Sequence, residues 1–342
     1  MKKFFLLVPV AALAMTACTS ESNEFVGDKQ QTQKEIAFSA FNQKATRAAV
    51  DGTDFPTTLD MKVAAYQVEA TGGSAGAYFD ATTFKYQYVG GSASGSGSYW
   101  GGETAKFWPL TPAYINFLAI ANANSDNATG VTWNTYPTTG VVAITMSDNS
   151  SAQRDLMYAI GNGAVTQDGN ALTFPTKVDM TFEHAQAWID FKVKANSTVE
   201  TAITINSITL TGAKYNGTYT VTHTAYNAKT GQGVAGAWSD LGAVQNIAVP
   251  GWLPAALTTS FATVGNGLMI VPDDAVTGDF TSFTINYTFD GKTYEYTYTP
   301  ASTQVEQGKH YIYEITFRLH EIFINPTITD WNDQTATEIM YQ

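Results

Sequence analysis

Apolar and polar residues alternate with a period of two along most of this chain, the signature of strands that bury one face. The alternation begins at Ile36, Phe38 and Ala40 and returns at Met61, Val63 and Ala65. A more continuously apolar run from Tyr114 to Ala121 predicts a buried strand. Val141 to Met146 and Val178 to Phe182 extend the series, with Val178, Met180 and Phe182 on one face. Arg154 to Ile160 fits a short helix or a strand. Farther along, Ala187, Ile189, Phe191 and Val193 alternate with Trp188, Asp190, Lys192 and Lys194, which predicts one apolar and one mostly polar face. Phe283, Ile285, Tyr287 and Phe289 are followed by Asp290-Gly291 and then by Tyr294, Tyr296 and Tyr298. An Asp-Gly pair between two alternating runs predicts a hairpin with a two-residue turn. Tyr311 to Leu319 forms a long strand after Gly308. Few helical periods compete, so the expected fold class is all-β, with a domain break near Pro175 to Glu183.

The punctuation between these runs is informative. Asn42 to Pro56, with the sequence KATRAAVDGTD inside it, reads as an exposed loop. Gly90 to Ser98 is almost entirely Gly and Ser and predicts a surface loop. The first residues follow a different rule. Lys2 and Lys3 precede an apolar stretch from Phe4 to about Leu13, and Met15-Thr16-Ala17-Cys18 is a small-residue cleavage site ending in cysteine. This is the arrangement of a lipoprotein signal peptide at residues 1–17, with Cys18 as the lipid-modified first residue. The apolar stretch is shorter than the roughly 20 residues of a spanning helix. Residues 18–35 are polar and aperiodic, as expected of a tether. Several acyl chains on Cys18 would hold the precursor at the outer membrane, whereas one chain binds only reversibly.

Composition narrows the function classes. Cys18 is the only cysteine, so the folded part has no disulfide, thiolate metal site or cysteine nucleophile. Loss of residues 1–17 leaves 16 basic against 30 acidic side chains, a surface that repels nucleic acid. About 320 mature residues exceed one sandwich and suit two domains, at 36–180 and 181–342. His184, His223, His310 and His320 show no metal-ligand spacing, and no nucleophile elbow, Walker loop or dinucleotide fingerprint occurs. His184 and His310 read as structural. Asp273-Asp274 and Asp330 with Asp333 could pair as carboxylates for glycoside hydrolysis, but turn aspartates explain them better. No enzyme and no cofactor is expected. Trp100, Trp108, Trp133, Trp238 and Trp252 lie in or near loops; if exposed they could stack on sugar rings, but such residues more often plug the ends of sandwiches. A monomeric surface lipoprotein that binds glycans is therefore the alternative to the reading that follows.

Several segments together resemble the fimbrillin family, the lipoprotein pilin subunits of Bacteroidales sometimes grouped as type V pili. They are Trp108-Pro109 with YINFLAIAN after it, RDLMYA at 154–159, FEHAQAWIDFKV at 182–193, GLMIVP at 267–272, GKHYIYEITF at 308–317 and ITDWND at 328–333. The resemblance implies two tandem transthyretin-like β-sandwich domains, a structural rather than enzymatic role, and a place in a cell-surface fimbrium supporting adhesion. Its partners would be other pilin subunits, head to tail. It also implies a cut by a trypsin-like maturation protease in the loop after the first strand. The matching bond is Arg47–Ala48, with Lys44 as the substitute.

Loss of Ile36 to Arg47 would remove a strand and expose an apolar groove with unpaired backbone groups, an edge that invites strand addition. The expected donor is the C-terminal segment, carrying Ile328, Trp331, Ile339, Met340 and Tyr341. The competing expectation is that Glu321 to Gln342 pairs within its own domain. Burying five such side chains is worth on the order of 8 to 15 kcal/mol before entropy costs. A head-to-tail contact of this kind does not close, and so yields a filament.

Overall fold

In the computed structural model the alternating runs are strands, and no α-helix occurs among the described residues. These are residues 33–42, 55, 57, 59–68, 76–79, 85–88, 99–122, 131–133, 141–146, 154–198, 202–222, 234–251, 254–273, 278–318, 321–330 and 337–338. Cys18, the tether and the KATRAAV loop lie outside them. The first strands are β1 (Phe38–Asn42), β2 (Met61–Val68), β3 (Gly76–Phe79), β4 (Lys85–Tyr88), β5 (Trp100–Gly102) and β6 (Ala113–Asn122). There follow β7 (Val131–Trp133), β8 (Val141–Met146), β9 (Leu156–Asp168), β10 (Ala171–Thr173), β11 (Val178–His184) and β12 (Ala187–Ala195). Next come β13 (Thr204–Ala213), β14 (Gly217–Thr222), β15 (Val234–Ser239), β16 (Gln245–Ala248), β17 (Ala255–Ala256) and β18 (Ala262–Thr263). The last are β19 (Leu268–Ile270), β20 (Ser282–Phe289), β21 (Lys292–Tyr298), β22 (Lys309–Arg318), β23 (Glu321–Asp330) and β24 (Thr337–Glu338).

The first sheet curls until it meets itself. Its neighbours run β9-β11-β1-β5-β4-β2, and β6 pairs with both β2 and β9, which closes the ring. Every contact in the ring is antiparallel except that between β1 and β11. Inward-facing Phe38, Met61, Phe117, Met180 and Phe182 fill the interior. Trp108 closes this core, fully buried, with its ring edge-on to Phe117 at 5.8 Å. Gly163 of β9 lies against the indole, and a Cβ there would run into it. Arg154 to Ile160, which the sequence left between helix and strand, leads into β9 and becomes its first residues.

A second core lies between two sheets. One runs β18-β12-β22-β23-β24, with β12 and β22 parallel over Trp188↔His310 to Ala195↔Phe317. The other runs β16-β13-β20-β21. The β20–β21 hairpin turns on Asp290 and Gly291 with φ of 49° and 69°, the positive values that a type I′ turn demands at both centres. The inner faces supply Phe191, Ile205, Ile208, Phe283, Ile285 and Ile315, all fully buried. The fold is thus an all-β sandwich architecture.

One arrangement left no trace in the sequence pattern. The fourth sheet, β15-β14-β8-β7, joins strands from the early and late parts of the chain, with β14 and β8 paired from Gly217↔Met146 to Thr222↔Val141. Beneath it a third core gathers Leu118, Ile144, Leu156, Ala185, Tyr219 and Val221. The described residues all belong to the compact unit Gln33–Gln342.

Candidate functional site

The segment from Lys34 to Asn42 fills a slot between two parts of the closed sheet. On one side β1 runs parallel to β11 from Phe38↔Val178 to Asn42↔Phe182, and the Val178 N–H donates to the Ala37 carbonyl at 2.9 Å. On the other side β1 meets β5 at a single pair, Phe38↔Trp100. Just before it, the Ile36 N–H donates to the Lys106 carbonyl at 2.7 Å and the Trp108 N–H to the Lys34 carbonyl at 2.9 Å, around the bridge Glu35↔Phe107. Ile36 and Phe38 are fully buried and Ala40 nearly so, with Phe38 edge-on to Phe117 at 5.1 Å. The alternation Ile-x-Phe-x-Ala forces this segment to be a strand, because only then do its three apolar side chains share one face. A strand that is short, parallel on one side and barely paired on the other is held mainly by those side chains.

The chain's other end lies on its own sheet. β23 pairs with β22 along its whole length, from Arg318↔Glu321 to Lys309↔Asp330, and places Ile328 opposite Tyr311. β24 pairs back onto β23 through Thr327↔Glu338 and Ile328↔Thr337. Ile328 is 39 % exposed at the rim of a cavity of about 300 Å³ that Tyr298, Tyr311, Tyr313, Phe323, Ile324 and Pro326 also line. Of the remaining positions singled out from the sequence, Lys44, Arg47, Ala48, Trp331, Ile339, Met340 and Tyr341 lie outside the described residues.

Of the tryptophans singled out from the sequence, the three whose side chains are described turn inward and plug the cores. Trp100 is 4 % exposed and packs edge-on against Phe55 at 5.6 Å, and Trp108 is fully buried. Trp238 is half-buried, and its indole N–H donates to the Ala185 carbonyl at 2.6 Å. The described part of Trp133 is its β7 backbone, and Trp252 lies outside the described residues. Large rings at strand ends seal the cores, which removes them from solvent.

The polar groups with the deepest burial also support the fold. His184 Nδ1 is 2.8 Å from Asp155 Oδ1, with both side chains almost wholly buried. Gln186 accepts the Leu156 N–H on its side-chain oxygen at 3.0 Å. The Ala185 N–H donates to the Leu156 carbonyl and the Gly308 N–H to the Gln186 carbonyl. The Tyr158 hydroxyl donates to Glu183 at 2.8 Å, and Gln307 donates to both Tyr158 and Tyr219. Burial pushes the Tyr158 phenol up to about 12, helped by the nearby Glu183, and pushes Tyr219 higher still. His310 is 6 % exposed and stacked on Trp188 at 4.0 Å, because the parallel pairing brings the two rings side by side. Asp273 pairs with Lys214, and its N–H donates to Asp279 Oδ1 at 2.5 Å, a structural use of that carboxylate. Among the described residues no group of three His, Cys, Asp or Glu side chains is placed to hold a metal ion.

The model of the fimbrillin-like family matches residues 46–331, most of the chain. The chain belongs to the fimbrillin-like family. That match starts beside Arg47 and ends at Trp331, so it lies inside the two terminal segments considered above. The fimbrillin-like chain also superposes on crystal structures of candidate cell adhesion proteins. The one from Bacteroides uniformis is 17 % identical with a TM-score of 0.50, covering 87 % of this chain and 99 % of that one. The one from Bacteroides ovatus is also 17 % identical, with a TM-score of 0.51 and coverage of 88 % and 99 %. A fimbrial protein from Bacteroides vulgatus is 15 % identical with a TM-score of 0.50, covering 88 % of this chain and 100 % of that one. At these identities the likeness establishes the fold alone. No curated protein sequence matches the chain. The family itself is one of fimbrial subunits, which gives the chain a structural role at the cell surface.

Proposed function

We propose that this fimbrillin-like chain polymerises into a surface fimbrium by exchanging its first strand after a cut at Arg47–Ala48. The observation that carries the reading is the position of β1: its removal opens the closed sheet between β5 and β11. The vacated slot would expose the sites of Ile36 and Phe38, and refilling two such sites is worth roughly 3 to 6 kcal/mol. It would also leave the Lys106 carbonyl and the N–H groups of Trp108 and Val178 without the partners they now have in the strand. A strand from a second subunit satisfies both needs at once.

In this account Cys18 carries the lipid that holds the precursor at the outer membrane, and a trypsin-like protease releases tether, lipid and β1 together. The donor is the C-terminal tail of the neighbouring subunit, with Trp331, Ile339, Met340 and Tyr341. Ile328, also expected in the donor segment, lies at its base. Its strand is paired over ten residues with β22, and in this reading that pairing holds the base of the donated tail. The role is structural, and adhesion follows from the filament. The experiment is the double substitution Arg47→Ala with Lys44→Ala. It should leave full-length lipidated monomers and no filaments, and normal filaments from it would refute the cleavage step.

A further inference from the structure

We propose that the donor strand enters the slot in the direction and register of β1. Glu338-Ile339-Met340-Tyr341 of one subunit then replaces Glu35-Ile36-Ala37-Phe38 of the next. This rests on the strand-exchange reading above and specifies how the exchanged strand is recognised.

The pattern Glu-Ile-x-aromatic occurs three times in the chain, at Glu35, Glu314 and Glu338. In the two copies whose side chains are described, it has one structural meaning. Ile36 and Phe38 belong to a segment running parallel to β11, and Ile315 and Phe317 to β22, running parallel to β12. All four side chains are at most 1 % exposed. The pattern thus marks a strand that inserts parallel to a neighbour and buries its isoleucine and its ring. The third copy begins at Glu338, the last residue of β24, and continues past that strand.

The backbone of the slot agrees with that register. It needs an N–H at the place of Ile36, and carbonyls at the places of Lys34 and Ala37. Ile339, Thr337 and Met340 supply them, and none is a proline. The other apolar run near this end, Ile322 to Ile328, carries Pro326, which has no N–H to give. Side chains discriminate as well. Ile339 restores an isoleucine, and Tyr341 restores a six-membered ring edge-on to Phe117. A shift of two residues would instead drive Tyr341 into the place of Ala40, a 6 % exposed position that now holds only a methyl group. Met340 is larger than the buried Ala37 it replaces, and its flexible thioether is the side chain best able to adapt there. Gln342 falls at the place of Ser39, opposite Asp179.

Cysteine cross-linking reads the register directly. Cys18 leaves with the tether, so a cut subunit contains only introduced cysteines. Ser39 is opposite Asp179, and adjacent strands about 4.8 Å apart fall within the Cα range of a disulfide. Filaments carrying Gln342→Cys and Asp179→Cys should give, under oxidation, a ladder that survives boiling in detergent and collapses to monomer on reduction. Filaments carrying Gln342→Cys and Thr181→Cys, the pair that the shifted register would join, should stay monomeric on the same gel. Cross-linking through Thr181→Cys, or through neither in filaments that form normally, would overturn this register. Absence of filaments from the unsubstituted chain would instead overturn the strand-exchange reading itself. A peptide of residues 335–342 carrying Gln342→Cys, mixed with Arg47-cut Asp179→Cys monomer, gives the same readout without requiring the variant to polymerise. Its failure to cross-link would equally overturn the register.

Discussion

Replacing Phe38 with alanine separates the uncut chain from the cut one. In the uncut chain Phe38 is fully buried, edge-on to Phe117 at 5.1 Å and paired opposite Trp100 and Val178. Truncating such a ring costs about 3 to 5 kcal/mol through lost burial and the cavity left behind. β1 holds to β5 by one residue pair only, so the loss falls on local release of the strand before it falls on the whole fold. At 1.4 kcal/mol per tenfold change, 3 kcal/mol raises the released fraction by roughly a hundredfold. The assay is urea unfolding of the lipid-free precursor followed by limited trypsin digestion of the native protein. The variant should unfold at lower urea and lose its first strand to trypsin much faster. Once cut, variant and unsubstituted subunits are the same molecule and should assemble alike. A Phe38→Ala precursor with unchanged urea midpoint and unchanged cutting rate would refute the claim that side-chain burial holds β1 in place.

Further outcomes follow from the polar groups. Asp155→Ala removes the acceptor 2.8 Å from His184 in a fully buried pair and should cost about 1 to 3 kcal/mol, read as a lower urea midpoint. Tyr158 and Tyr311 have phenols raised from 10.0 to about 12 by burial. The folded chain therefore holds protons that the unfolded chain releases above pH 10. Their contribution is complete below about pH 10 and is lost as pH rises toward 12, so unfolding in that window should coincide with the 295 nm absorbance of phenolate. The Arg47→Ala, Lys44→Ala chain described above should stay uncut and monomeric.

How much of this was legible beforehand follows from the range of each interaction. Period-two alternation is local, so Phe283 to Tyr298 could be read as a hairpin and its Asp290-Gly291 turn has the required positive φ values. The all-β class followed from the same signal. Pairing between distant strands has no local signature. Nothing near Ile36 reveals that its N–H meets the Lys106 carbonyl, or that β1 lies parallel to β11 some 140 positions later. Likewise β8 and β14 meet across the chain's two halves without any mark in either segment. For the tryptophans the sequence left two orientations open, plugging a sandwich end or facing solvent, for a related reason. Position near a loop says nothing of which way a ring turns, and Trp100, Trp108 and Trp238 turn inward because the cores have open ends to seal. Burial of polar Asp155 and His184 is equally invisible until their partners are known.

The central claim is that the first strand leaves before the subunit joins a filament. Mass-spectrometric determination of the N-terminus of protein sheared from the cell surface tests it most directly. The account predicts subunits that begin at Ala48, with lipid, tether and Ile36 to Arg47 all absent. Filament subunits that begin at lipid-modified Cys18 and retain Phe38 would contradict it.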